Sequence, residues 1–177
     1  MVAEIEIPDP SLIVLVGAAG AGKSTFAARN FAPDEILSSD LFRAMVSGDE
    51  ADQRATHAAF GGLHRELAHR LTAGKLTVVD ATSIEPSSRR ALLARAAAAA
   101  VPATAIVLDL PPEIVLARNA ARLPRIVDEN VVRHHLARLR ASLDGPAPPL
   151  HREGFAQVVI LSDPAEVDRL RIRRRPT

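Results

Sequence analysis

The sequence predicts an α/β protein built on a five-stranded parallel sheet with helices on both faces. Three observations predict it. Short apolar runs alternate along the chain with segments of helical spacing, the pattern of successive βα units. The first apolar run ends in a glycine-rich loop that leads straight into a helix. The chain has 177 residues, 47% of them hydrophobic, which suits a single domain over residues 1–177 with a full core.

Taken in order, Leu12–Val16 is an uninterrupted apolar run ending at a glycine, which reads as a buried parallel strand. Residues 17–25 form the small, glycine-rich loop, and residues 26–30 continue as helix. Residues 35–39 are a second strand candidate. Residues 52–72 place Ala55, Ala59, Leu63, Leu67 and Leu71 on one helical face, and Gly74 stops them. Residues 76–79 form a third strand, ending at Asp80. Residues 87–100 are an alanine-rich helix stopped by Pro102. Residues 103–110 are a fourth strand. Pro112 opens a helix reaching Arg122, and residues 127–143 form another. A Gly/Pro loop follows over 144–149, and residues 158–161 are the fifth strand. The basic tail, 171–177, reads as frayed. No internal repeat or dividing linker is visible.

Charged residues make up 24% of the chain and the net charge is +1. A bulk nucleic-acid coat is excluded, so any nucleic acid must meet a local basic patch. Apolar stretches are too short to cross a membrane. Residues 1–10 carry acids and prolines and do not read as a secretory signal. There is no cysteine, hence no disulfide frame or thiolate metal site. A cytoplasmic protein is the simple expectation. Of the 22 basic residues only Lys23 and Lys75 are lysines. In a chain that otherwise uses arginine, a lysine at position 23 is informative.

Lys23 lies in Gly17-Ala18-Ala19-Gly20-Ala21-Gly22-Lys23-Ser24, which fits G-x-x-x-x-G-K-[ST] at every fixed position. Glycines let backbone N–H groups approach phosphate oxygens without a Cβ in the way. The helix that follows aims its positive end at the same anion. The segment therefore predicts an ATP site. Gly17, Gly20, Ala21, Gly22 and Thr25 form the cradle, Lys23 reaches the β- and γ-phosphates, and the Ser24 hydroxyl ligates Mg²⁺. Asp80 ends an apolar strand and is expected near the same ion, through a water of its shell or by fixing Ser24.

The loop alone says nothing about the acceptor. Asp40 follows the second strand, where parallel sheets bind ligands. A carboxylate there can accept the proton of an attacking hydroxyl; it can equally be a helix N-cap. Arg43 stands one helical turn on and suits an acceptor phosphate. Arg118 and Arg122 share a helix face, and Arg125 follows, so the three can form a lid over the donor phosphates. A solvated basic face accounts for them as well. The six histidines, at 57, 64, 69, 134, 135 and 151, have no metal-ligand spacing and read as structural or exposed.

The order of these motifs resembles the 5′-kinase module of the bacterial polynucleotide kinase–phosphatase RNA repair enzymes, and more distantly the phage polynucleotide kinase. The resemblance rests on residues 17–26, 36–43, Asp52-Gln53, Ala58-Ala59-Phe60, 74–82, 118–125 and Arg152-Glu153-Gly154-Phe155. It implies a P-loop kinase with a helical arginine lid, using ATP and Mg²⁺ on the 5′-OH end of RNA or DNA. It implies Lys23 and Ser24 on ATP and Mg²⁺, Asp40 as general base, Arg43 on the acceptor phosphate, and Arg118 and Arg122 on the donor phosphates. Ser83 stands where that family usually shows asparagine. Phosphatase and nucleotidyltransferase modules, which follow the kinase in that family, are expected from another chain or from missing modules. Two other functions share the motifs: a small-molecule kinase acting on a sugar, nucleoside or antibiotic hydroxyl, and a toxin-like nucleotide-binding module.

Overall fold

Five apolar segments form the central sheet of the structure, a computed structural model that describes residues 4–47, 56–123 and 125–177. They are β2 (Leu12–Val16), β3 (Ile36–Ser38), β4 (Thr77–Asp80), β5 (Ala103–Leu108) and β6 (Gln157–Leu161). All pair in parallel, in the order β3-β4-β2-β5-β6. The fold class expected from the alternating pattern is therefore the one observed.

The strands are largely apolar because the sheet is covered on both faces. Alternate residues of β2 go to opposite cores. Ile13 and Leu15 pack with Phe26 and Ala27 of α1 (Lys23–Asn30), Val115 of α5 (Pro112–Ala120) and Val132 of α6 (Glu129–Leu143). Leu12, Val14 and Val16 pack with Leu63, Leu67 and Leu71 of α3 (Thr56–Thr72) and Leu92 and Ala96 of α4 (Pro86–Ala98). Residues 52–55 of the expected third helix, including Asp52-Gln53, lie outside the described residues.

Two helices and two strands go beyond the elements read from the sequence. A helix, α2 (Ser39–Ser47), starts immediately after β3. A short helix, α7 (Pro164–Arg169), is capped by the Asp163 carboxylate, which accepts from the Ala165 N–H at 2.7 Å. The expectation of a frayed tail is corrected. Arg171–Pro176 forms β7, which pairs in parallel with β1 (Glu4–Asp9) as a separate two-stranded sheet. Alternation explains the order. Ile172 packs on the core beside Ile5 and Ile7, while Arg173 and Arg175 meet Glu4 and Glu6 outside.

The alanine-rich helix α4 conceals a charge. Arg89 has no solvent exposure. Its guanidinium donates to both carboxylate oxygens of Glu153 at 2.6 and 2.7 Å, to the carbonyls of Ser83 and Ile84, and to Ser142 Oγ. The pair fixes the segment after β4 against the turn that carries Arg152-Glu153-Gly154-Phe155. Among the described residues, no helix is long and apolar enough to cross a membrane.

Candidate active site

The carboxyl ends of β2, β3 and β4 deliver the candidate residues to one edge of the sheet. Register places Ser38 beside Asp80 and Val14 beside Val79. Asp80 therefore stands next to the loop, and Asp40 stands one strand further out. The loop is anchored by the Gly17 N–H, which donates to the carbonyl of Thr82 at 3.1 Å. Gly20 and Gly22 have φ of 87° and 97°, a left-handed backbone that favours glycine. Gly20 is doubly constrained, because a Cβ there would lie 2.8 Å from the Val115 carbonyl oxygen of α5.

Lys23 is buried, and its ammonium donates to the carbonyls of Gly17 and Ala18, each at 2.9 Å. Burial pushes its pKa down to about 8, Asp80 opposes that shift, and Arg122 adds to it. A buried cation beside a guanidinium marks a site short of negative charge.

Two clefts meet at this lysine. The first, of about 310 Å³, is lined by Gly20, Gly22, Lys23, Ser24, Arg118 and Arg122 and runs out to Arg29 and Asp168. Arg118 donates to the carbonyl of Ala21 at 3.5 Å. The far wall is tied by Arg29, 3.0 Å from the Asp168 carboxylate of α7. The second cleft, of about 240 Å³, shares Lys23, Ser24 and Arg122 and is lined further by Asp40, Arg43, Asp80 and Arg125. Asp40 begins α2 and pairs with Arg43 one turn on. Arg125 reaches the same carboxylate at 2.6 Å, and Arg122 lies 4.0 Å away. Of the sequence-derived residues, Gly20, Gly22, Lys23, Ser24, Thr25, Asp40, Arg43, Asp80, Arg118, Arg122 and Arg125 line these two spaces, while Gly17 and Ala21 line neither. Arg122 lies just past α5, which ends at Ala120, rather than on its face, and Arg125 lies on the Asp40 side.

The chemistry of the cradle fits a nucleoside triphosphate: inward-turned backbone, a buried ammonium, and Arg118 and Arg122 at the rim. The Ser24 hydroxyl and the Asp80 carboxylate are hard oxygen donors facing the same cleft, which fits a Mg²⁺ ion that keeps most of its waters. Among the described residues no group of three or more His, Cys, Asp or Glu could hold a metal by itself. A nucleotide-bound Mg²⁺ needs none.

Two residues were passed over in the sequence. Asn119 is buried and its side chain clasps Val127 twice, donating to the carbonyl at 2.7 Å and accepting from the N–H at 3.1 Å. The clasp ties α5 to Val127, and Arg122 and Arg125 lie in sequence between its two ends. Histidine 135 of α6 accepts from the Ala19 N–H at 3.5 Å and lines the second cleft. Burial, followed by Lys23, pushes its pKa down. Neither role has a local signature, since both partners are distant in sequence.

With this geometry in place, comparison with known families is decisive at one level. The family profile described as AAA domain matches residues 12–146. The chain belongs to the AAA domain family. No curated protein matches this AAA domain protein in sequence. Its solved structural neighbours include a chain from the Pnkp1/Rnl/Hen1 RNA repair complex, 22% identical with a TM-score of 0.64. That match covers 76% of this chain and 45% of the other, so the AAA domain protein spans less than half of that relative's length. A putative kinase from Chloroflexus aurantiacus is 19% identical, with a TM-score of 0.60 and coverage of 87% and 88%. A sugar kinase from Janibacter is 20% identical, with a TM-score of 0.56 and coverage of 90% and 91%. At such identities the likeness is one of fold.

Proposed function

We propose that the protein is a phosphotransferase that moves the γ-phosphoryl group of ATP to the 5′-hydroxyl end of a polynucleotide, RNA or DNA. The observation that carries this reading is the surround of Asp40. The carboxylate sits in the acceptor cleft with Arg125 at 2.6 Å, Arg122 at 4.0 Å and Arg43 on its own helix. A base so flanked by guanidiniums suits an acceptor that brings its own phosphate, as a nucleotide chain does and a neutral sugar does not.

In this reading Asp40 accepts the proton of the attacking hydroxyl. The new bond forms from that oxygen to the γ-phosphorus as the bond to the bridging oxygen breaks and ADP leaves. Lys23, Arg118 and Arg122 line the path of the transferred group and offset its charge. Arg43 and Arg125 hold the acceptor phosphate, which draws them off Asp40 as substrate binds. Ser24, with Asp80 nearby, would hold a nucleotide-bound Mg²⁺, which would neutralise phosphate charge. Residues 1–177 act as one kinase domain in the cytoplasm, where ATP is supplied, and the phosphatase or ligase steps of an RNA repair reaction fall to other chains or modules.

The likeness to a sugar kinase over nearly the whole length supports a second reading, a small-molecule kinase on the same loop and base. One assay separates the two: labelled ATP and Mg²⁺ offered with a 5′-OH oligonucleotide, a 3′-phosphorylated mononucleoside, and a panel of sugars, nucleosides and antibiotics. The oligonucleotide and the 3′-phosphorylated acceptor should take the label best. A neutral sugar or nucleoside labelled far better than either would replace the first reading with the second.

A further inference from the structure

Behind the acceptor cleft lies a further chamber of about 310 Å³, between α3, α4 and α6 and beside the segment that follows β4. Phe60, Ala81, Thr82 and His135 line both spaces, so the chamber opens off the place where the acceptor hydroxyl would sit. Its volume matches the lower end of small-ligand pockets, roughly 300–1,000 Å³.

Several features mark it as a binding space rather than a packing void. Voids are small and apolar. Here the lining joins the apolar side chains of Val79, Ile84 and Leu92, with Phe60 packed on the same core, to a polar set that includes His64, Ser83 and Ser88. The Nδ1 atom of His64 is buried and has no hydrogen-bond partner among the described residues. Buried polar atoms are nearly always paired, so the unpaired nitrogen marks this ring as one whose polar needs the described packing does not meet. Burial, and then Arg95, push the His64 pKa down, so the ring is neutral at pH 7, with one nitrogen donating and the other accepting.

The wall is also fixed in place. Ser83 holds a φ of 47°, and buried Arg89 grips the Ser83 carbonyl at 2.9 Å and that of Ile84 at 2.5 Å. On the outer side Glu85, at the head of α4, bridges to Arg138 of α6 at 2.6 Å and lies 3.8 Å from His134. Such bracing keeps a recognition surface in one geometry.

We propose that this chamber receives the heterocyclic base of the acceptor's 5′-terminal nucleotide. The inference rests on the polynucleotide reading and names how that acceptor is seated. A planar heteroaromatic ring combines the two things the chamber offers: a face to stack against Phe60 and the apolar side chains, and an edge with donors and acceptors for the polar lining of His64, Ser83 and Ser88. With five phenylalanines and no Trp or Tyr in the chain, an aromatic wall at this site is a scarce resource placed where a base would use it.

The test uses the full chain, labelled ATP and two 5′-OH oligonucleotides that differ only in the first residue, which carries its base or is an abasic tetrahydrofuran. Wild type should favour the base by about ten-fold in kcat/KM, mainly through KM, the scale of one base stacked on one aromatic ring. Ser88→Trp, on the exposed side of α4, puts an indole into the chamber; Phe60→Ala removes the stacking wall; His64→Leu removes the polar edge at similar volume. The first two should shrink the preference to within about two-fold, and the third should reduce it in part. ATP affinity and thermal melting of each variant report whether the donor cleft and the fold survive. Equal use of the two oligonucleotides by wild type, or an undiminished preference in folded Ser88→Trp, overturns the base chamber and leaves the kinase reading intact. Labelling of neither oligonucleotide, with a small hydroxyl compound labelled instead, overturns the polynucleotide reading and the chamber assignment with it.

Discussion

Lys23 carries a charge where charge is costly, and its surroundings set a pH dependence with a definite sign. Burial pushes its pKa down to about 8 in the free protein. The ammonium is the form that serves a phosphate, so kcat/KM for ATP should fall as pH rises through about 8. Bound phosphates bring negative charge close and favour the protonated form. The alkaline limb of kcat, which reports the complex, should therefore lie at higher pH than that of kcat/KM. Identical limbs in the two profiles would remove Lys23 from the phosphate site. Lys23→Ala should abolish transfer, and a melt should show that the variant still folds despite losing its two carbonyl contacts. Asp40 gives a second prediction at this scale. Asp40→Asn keeps the size and removes the base, so turnover should fall by roughly two to four orders of magnitude. ATP affinity should hold, because Asp40 lines the acceptor cleft and not the donor cleft. Loss of ATP binding with turnover in proportion would make Asp40 a structural residue. Both positions were legible in the sequence, Lys23 from a contiguous motif and Asp40 from its place at a strand end. The pairing of Asp40 with Arg125 was not, because residues that meet only through the tertiary fold leave no spacing to read.

At the scale of elements, α5 with the bend after it is where the sequence left two readings of the arginines open. Arg118 and Arg122 both line the cleft that holds Lys23 and Ser24, and the proposed function gives them the donor phosphates. The element is held by Gly20 packed against Val115 and by the Asn119 clasp on Val127. Arg118→Ala and Arg122→Ala should each lower turnover by roughly a hundred-fold, the scale of removing one preorganised charge from a transition state. Arg140 is the control, because it is exposed on α6 and only 3.9 Å from Asp144. Arg138, also on α6, does not serve as a control, since it braces α4 through Glu85. Steady-state kinetics of the three variants should separate the first two from the third; three equal effects would return all of them to surface charge. The strands and most helices could be read in advance because burial on both faces leaves unbroken apolar runs and helical spacing is local. The short helix α7 and the buried Arg89 could not. The first is only Pro164–Arg169, and the second follows Ser87-Ser88 and precedes Arg90 at the start of α4, a composition that looks solvent-facing.

The whole molecule is closed by its two ends. β1 and β7 pair from Glu4 opposite Arg171 to Asp9 opposite Pro176. No local pattern announces a parallel pair between segments so far apart, which is why a run of arginines read as a loose tail. A two-stranded sheet is marginal alone, so it must be held by docking on the core. Its inward side has Ile5, Ile7 and Ile172 on the core and Arg174 reaching the Glu35 carboxylate at 2.7 and 2.8 Å. Its outward side has Arg173 and Arg175 on Glu4 and Glu6, all exposed except Glu6, which is partly buried. Exposed pairs are worth about 0–1 kcal/mol and are screened by salt. Arg173→Ala should therefore change the urea midpoint little, while Ile172→Ala should cost roughly 1–2 kcal/mol for a half-buried side chain. Arg174→Ala should fall between them and depend on pH. Burial alone would raise the Glu35 pKa, but hydrogen bonds from Arg174 and from the Ala32 N–H outweigh it and hold the carboxyl below the ordinary glutamate value. A carboxylate so depressed contributes its stability in full above its unfolded value. The contribution is lost as pH falls through the lower folded value. The gap between wild type and Arg174→Ala should thus be complete at pH 7 and should close on acidification below about 4, the ordinary glutamate range. It should also resist salt better than the Arg173 gap, because the Glu35 side chain is 17% exposed against 38% for Glu6 and 55% for Glu4. Urea unfolding at neutral and acid pH, each at low and high salt, reads all three variants. A gap for Arg174→Ala that ignores pH would mean that Glu35 is not what the tail holds on to.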